Sequence, residues 1–320
     1  MATTTERSHY KPFDHPWAFD AFVQQNKMHW LPEEVPLSED ILDWNKRLTE
    51  GEKDLLTQIF RFFTQGDVDI AKAYCEEYIP LFKKPELRMM LMSFAAMEAV
   101  HIHAYSLLLD TVGMPESEYQ AFQEYEEMVN KHNYLFEGNS SELQKIAKFS
   151  AFGEGLQLFS SFAILLNFAR HGKMKGMGQI VTWSIRDETL HVESMIKLFH
   201  EYLDDNMKLW NDETKARIYQ TCRDMVELED TFIDLAFNVV GELEGLTKEE
   251  VKDYVRYLAD RRLLQLGLKP NYKIQKNPLP WMEEMLNGVE HANFFDIRAT
   301  EYFRSGSFDG SFDFLEKESE

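Results

Sequence analysis

The sequence predicts an all-α protein with two long helical hairpins at its centre. Three observations lead there. With 15 Gly and 10 Pro in 320 residues, long stretches run without a chain breaker. Apolar residues recur at helical spacing through those stretches, in places behind sequences that can form a capping box. No stretch shows the sustained period-two alternation of β-branched residues that a half-buried strand requires.

The first residues, rich in Pro and aromatics, read as an irregular arm. Thr49 with Glu52 then offers a capping box ahead of the run KDLLTQIFRFFTQGDVDIAKAYCEEYI, which Pro80 ends. A second helix starts at Pro85 and stops at Gly113, with Pro115 beyond it. The two form the first hairpin. A polar helix is expected from 116 to about 131, after which Asn139 and Glu142 cap LQKIAKFSAFGEGLQLFSSFAILLNFA. Gly172, Gly176 and Gly178 precede QIVTWSIRDETLHVESMIKLFHEYL, which completes the second hairpin. Supporting helices follow from 212 to 240 and, behind Thr247 and Glu250, from 248 to about 266. From about His291 the chain mixes Gly, Ser, Phe and acids without helical periodicity. The expected organisation is one domain over 1–290 and a mobile docking tail over 291–320.

Composition narrows the function. Hydrophobic residues make up 44% and charged residues 28%, a folded and not a disordered composition. The 34 bases against 55 acids leave a net charge of −21, which repels phosphate backbones and anionic lipid, so neither nucleic acid nor a membrane is an expected partner. Cys75 and Cys222 are too few and too far apart for a disulfide scaffold or a thiolate metal site, which suits a reducing compartment. The start MATTTERSHYKPFDHPW lacks the basic and apolar regions of a secretory signal, and the expected location is the cytoplasm. The most apolar segment, residues 156–169, falls short of the roughly 20 residues of a bilayer span and carries Ser160, Ser161 and Asn167; a buried core helix fits it.

Chemistry enters with two E-x-x-H units, Glu98 with His101 and Glu188 with His191, each inside a helix where positions three apart share a face. One such unit is a weak signal, because Glu and His at this spacing usually sit on a solvated face. Each unit here, however, has an acid in the preceding helix of its hairpin: Asp67 lies 31 residues before Glu98, and Glu154 lies 34 before Glu188. The two acids are 87 residues apart and the two units 90, a near-duplication that chance rarely supplies. In a hairpin, half of each separation runs to the turn and half returns, so acid and E-x-x-H meet at one level. Two hairpins face to face bring together four carboxylates and two imidazoles. That matches the known ligand set of carboxylate-bridged di-iron or di-manganese sites in four-helix bundles. The surroundings agree: Glu154 is the only acid among the 44 residues between Glu142 and Asp187, and Glu98 the only one between Glu86 and Asp110. Isolated carboxylates on apolar helices are costly unless paired or metal-bound. For Asp67, only the spacing selects it over nearby Asp69 and Glu76.

At this point the sequence resembles the radical-generating small subunit of class I ribonucleotide reductase, over nearly the whole chain. Besides the six ligands, the resemblance rests on His29-Trp30-Leu31-Pro32-Glu33-Glu34, on Tyr105 four residues after His101, on Glu154-Gly-Leu, on Arg186-Asp187-Glu188, on Asn277-Pro-Leu-Pro-Trp281 and on Tyr302. It implies a ferritin-like four-helix bundle with additional helices, and a homodimer. It also implies two iron or manganese ions per chain, and a separate large subunit that uses the radical to make deoxyribonucleotides. By position, Tyr105 matches the radical tyrosine, Trp30 and Asp187 the electron and proton relay near the metals, and Tyr302 the tail tyrosine that passes the radical on. Leu158 and Phe162 suit the surroundings of such a tyrosine, whereas Ser184, one turn before Glu188, is a polar departure that could hydrogen-bond the phenol. The intact carboxylates argue against the metal-free members of the family. A ferritin-like oxidase or monooxygenase would share the ligands but lack the relay and the aromatic tail. A metal-storage protein would be shorter, with no need of the tyrosine.

Overall fold

The computed structural model describes residues 2–115, 117, 126–136, 140–241 and 243–286. The expected tail with Tyr302, and most of the polar stretch after Pro115, lie outside the described residues. Among those that are described the chain is helical, with one isolated bridge between Leu243 and Leu246 and no strand. Contacts divide it into Met1–Leu279 and Pro280–Glu320. All the elements below belong to the first unit; in the second, a short helix occupies 280–286.

The arm expected to be irregular contains two helices. In α1 (Pro16–Lys27), Pro16 takes the first position, where its missing N–H costs nothing, and Ala18, Ala21 and Gln25 are buried. In α2 (Ser38–Lys46) the buried residues are the acids Asp40 and Asp43. Their carboxylates accept from the backbone N–H groups of Gly176 at 2.9 Å, Met177 at 2.8 Å and Met174 at 2.7 Å, donors that the start of a helix otherwise leaves unsatisfied. Negative charge there also opposes the helix dipole.

The hairpins form as the periodicity predicts. The first pairs α3 (Glu50–Ala73), capped by the reciprocal Thr49 and Glu52 bonds, with α4 (Pro85–Val112). After α3 the helix widens into a π segment, Tyr74–Tyr78, before the turn Ile79–Leu81. Gly113, at φ 81°, closes α4 in the left-handed conformation that glycine adopts without strain. A short α5 (Glu126–Phe136) precedes the second hairpin.

That hairpin begins at α6 (Glu142–Ile146), with Ser141 and Gln144 as the capping box in place of the anticipated Asn139 and Glu142; the hydroxyl one residue before the helix is the group in reach of the free N–H. The chain continues through a second π segment, Ala147–Gln157, into α7 (Phe159–Arg170), then returns as α8 (Lys175–Asp205). The continuous run Glu142–Arg170 is apolar enough to cross a membrane, yet it is buried inside the protein. Two outer helices, α9 (Asp212–Val240) and α10 (Lys248–Gln265), pack against its π segment. From α10, Arg262 Nε donates to the carbonyl of Gly155 at 3.0 Å. A side chain at residue 155 would put its Cβ 2.6 Å from that nitrogen, so glycine is what lets the guanidinium satisfy the widened backbone.

Candidate metal centre

The hairpins place all six ligand candidates in the bundle interior. Asp67 on α3, Glu98 and His101 on α4, Glu154 in the second π segment, and Glu188 and His191 on α8 are each at most 2% exposed. Their donor atoms fall into two groups, Asp67–Glu98–His101–Glu188 and Glu98–Glu154–Glu188–His191, with ligand atoms within 4.8 Å of one another in each. Glu98 and Glu188 belong to both groups, so two cations held there would share them.

Whether a dinuclear metal centre fits can be read from what these atoms leave unsatisfied. Asp67 Oδ2, both oxygens of Glu98, Glu154 Oε2, Glu188 Oε2 and His191 Nδ1 are buried and form no hydrogen bond. His191 Nδ1 stands 2.9 Å from Glu98 Oε1 without hydrogen-bonding geometry. Orphaned polar atoms at this density are prohibitively costly in an apolar core, and converging on a common point is what removes the cost when cations sit there. The electrostatics agree. Burial pushes the carboxyls of Asp67 and Glu154 up, and Glu188, next to Glu98, up to about 8. Burial would also raise Glu98, but His101 and His191 against it hold it low. Both imidazoles keep their protons beyond the ordinary range against the opposing effect of burial, because the carboxylates surround them, His191 up to about 10. Protons here occupy the place of positive charge that cations would supply.

Outside the six candidates, Asp187 joins three of the surrounding side chains. It is fully buried, and its Oδ2 accepts from Trp30 Nε1 at 2.8 Å and lies 3.2 Å from His101 Nε2. Burial would raise its carboxyl, yet His101, Arg186 and Trp30 hold it below the usual range. A carboxylate only accepts, so Nε2 of His101 carries the proton and Nδ1 is the atom left to meet a cation. The same logic reaches His191 through Gln25. The amide NH2 of Gln25 faces Asp187 Oδ1 at 3.3 Å, which leaves its oxygen 3.0 Å from His191 Nε2. That nitrogen must donate, so His191 too presents Nδ1 to the carboxylates.

Tyr105 lies one turn beyond His101, 1% exposed, its ring stacked on Phe63 with centroids 4.9 Å apart and Phe162 behind Phe63. Its hydroxyl donates to Ser184 Oγ at 3.4 Å, the hydrogen bond that the polar residue at 184 suggests. Burial and the charge of Asp67 push the phenol well above its ordinary range. Tyr302 lies outside the described residues.

Sequence reasoning misses two side chains that touch the cluster. Gln25 sits in the arm read as irregular. Tyr74 follows Asp67 by seven residues, two turns on the same helix face, and its hydroxyl donates to Glu154 Oε1 at 2.7 Å. The i+7 spacing is a signal that could have found it.

Comparison with known proteins agrees with this architecture. The family model for the small chain of ribonucleotide reductase matches residues 7–278. A probable ribonucleoside-diphosphate reductase small subunit of Invertebrate iridescent virus 3 is 46% identical, the match covering 94% of this chain and 85% of that protein. Among solved structures, the ribonucleotide reductase R2 subunit from Clostridium botulinum superposes with a TM-score of 0.79 at 26% identity, over 89% of this chain and 92% of that one. The dimanganese(II) NrdF of Streptococcus sanguinis has the same fold, with a TM-score of 0.74 at 23% identity over 84% and 94% of the two chains. With the match running across most of its length, this chain belongs to the family of ribonucleotide reductase small chains.

Proposed function

We propose that this chain is the radical-generating small subunit of a class I ribonucleoside-diphosphate reductase. In this reading Asp67, Glu98, His101, Glu154, Glu188 and His191 hold two metal ions, and a large subunit uses the oxidising equivalent to make deoxyribonucleotides. The observation that carries the reading is the set of orphaned buried donor atoms, arranged in two groups that share Glu98 and Glu188. Hard carboxylate oxygens with one imidazole per group suit iron and manganese alike. When bound, the two ions supply one-electron oxidising power next to Tyr105.

The protein's own residues do the rest. Tyr105 keeps its proton and directs it at Ser184, in surroundings of Phe63 and Phe162 that exclude water. We assign Tyr105 as the residue that stores the radical. Trp30 and Asp187 form the inner end of a relay: one carboxylate oxygen of Asp187 touches both the indole N–H and His101, so an electron leaving the indole has a proton acceptor already in contact with its nitrogen. Tyr302, by its position in the sequence, is the proposed outer end. An oxidase that only consumed its oxidant would not need this wired indole.

Homodimerisation is supported by the outer face of α4, where Met92, Ala96, Ala99 and His103 are exposed along one stripe. Small side chains there let a helix of a second copy approach closely, and Met92, 51% exposed, supplies an apolar contact. The test is to load the protein separately with iron and with manganese, expose each form to oxidant, and follow electron paramagnetic resonance together with turnover by the large subunit. Turnover in at least one form is expected; none in either, with both metals bound, would contradict the reading.

A further inference from the structure

We propose that Tyr74 is a positioning residue that holds one oxygen of Glu154 and thereby fixes how this carboxylate meets the Glu98–Glu154–Glu188–His191 group. The inference rests on the dinuclear reading above.

Tyr74 is fully buried, and its hydroxyl donates to Glu154 Oε1 at 2.7 Å. Glu154 Oε2 makes no hydrogen bond at all. The two oxygens of this carboxylate are thus divided: Oε1 is held by Tyr74 and lies 3.6 Å from His191 Nδ1, while Oε2 has no hydrogen bond. A second carboxylate oxygen left loose could chelate or bridge, so fixing it restricts how Glu154 can act as a ligand.

Packing sets the position of the hydroxyl. The Tyr74 ring lies edge-on to Phe94 and to His191, each with centroids 6.1 Å apart, and edge-on to Tyr78 at 5.6 Å. One ring therefore abuts the imidazole ligand while its hydroxyl holds the carboxylate ligand of the same group. The bond also joins the two π segments, since Tyr74 opens Tyr74–Tyr78 and Glu154 lies inside Ala147–Gln157. Helices frequently carry such irregular turns at functional sites. The Tyr74 contact gives these two a shared purpose: the widened backbones bring a donor from the first hairpin to a ligand of the second.

Tyr74→Phe removes one oxygen and keeps the ring. Full-length, metal-free protein would be titrated with Mn(II), free ion being followed by its electron paramagnetic resonance signal and the bound ions by their own spectrum. In the variant, one of the two binding steps should weaken roughly ten- to a hundredfold, the usual effect of losing a partner of a ligand, and the bound-manganese spectrum should change. If both steps stay within twofold of the parent protein and the spectrum is unaltered, the assignment is overturned, even when thermal stability falls, because that combination is what a packing role produces. Should the Phe variant not fold, replacing Tyr74 by 3-fluorotyrosine keeps the hydroxyl but strengthens it as a donor; an identical bound-manganese spectrum then overturns the assignment. A parent protein that binds fewer than two Mn(II) ions would sink the dinuclear reading itself, a result distinct from either.

Discussion

Replacing Gln25 by Leu should loosen one metal ion and leave the other in place. The side chain links Asp187 to His191, its oxygen 3.0 Å from His191 Nε2 and its nitrogen 3.3 Å from Asp187 Oδ1. Leu has a similar volume and neither polar atom, so packing survives while the imidazole loses the acceptor that keeps its proton on Nε2. The N–H is then buried and unpaired, or the proton moves to Nδ1 and removes the ligand lone pair. An unsatisfied buried donor costs about 1–3 kcal/mol, which corresponds to roughly five- to 150-fold in affinity. Asp187 keeps Arg186 Nη2 at 3.4 Å on the freed oxygen, and its other oxygen still meets His101 and Trp30. The His101 half of the centre should therefore be spared. Competition for metal against a chelator of known affinity reads both sites: one binding step should weaken within that range and the other hold. Two unchanged steps, or two equally weakened ones, would refute the argument that Gln25 sets the tautomer of His191.

Three further outcomes follow from the same geometry. In metal-free protein the carboxyl of Glu188, raised to about 8, and the imidazole of His191, raised to about 10, favour folding fully only below their unfolded values, and that contribution is lost as pH climbs through the folded ones. The melting temperature of chelator-treated protein should thus fall from about pH 6 to about pH 9, while metal affinity rises over the same interval because binding expels those protons; calorimetry showing a flat or rising melting temperature would contradict it. Tyr105→Phe keeps the ring against Phe63 but removes the hydroxyl that meets Ser184, so two metals should still bind while any tyrosyl radical signal and turnover disappear; retained turnover with a metal-centred signal would exclude Tyr105 as the store. Tyr302→Phe should preserve binding to the large subunit and abolish turnover, and deletion of residues 304–320, which removes Phe308, Phe312, Phe314 and Leu315, should abolish binding itself; full turnover at low partner concentration in either variant would count against the relay or the docking role concerned.

The buried cluster was legible in the sequence because its residues follow a spacing that is local in each helix and duplicated between hairpins. Three-residue spacing places Glu98 with His101 and Glu188 with His191 on one face, and a helix long enough to span the bundle returns Asp67 and Glu154 to the same level. The apolar neighbours of Glu98 and Glu154 marked them as buried, and they are. What escaped depends on tertiary contacts. The helix α1 holds Pro, Trp and two Phe in twelve residues, a composition that reads as irregular, and the chain is helical there against α4 and α8. Gln25 is invisible for the same reason, being an ordinary polar residue until α1 lays it between Asp187 and His191. The π segments leave no periodic signature, since one extra residue per turn inside an apolar run shifts its face without breaking the run. For α2, the acids Asp40 and Asp43 look like solvated charges, although their partners are backbone N–H groups more than a hundred residues away.

Counting metal ions bears most directly on the central claim. Full-length protein loaded without oxygen with Fe(II) or Mn(II), freed of excess ion and analysed by mass spectrometry of the elements, should hold two ions per chain, because the donor atoms form two groups that share Glu98 and Glu188. Glu188→Ala, which takes a ligand from both groups at once, should lose the dinuclear site. One ion or none in the parent protein, or full occupancy retained by the variant, would contradict the account.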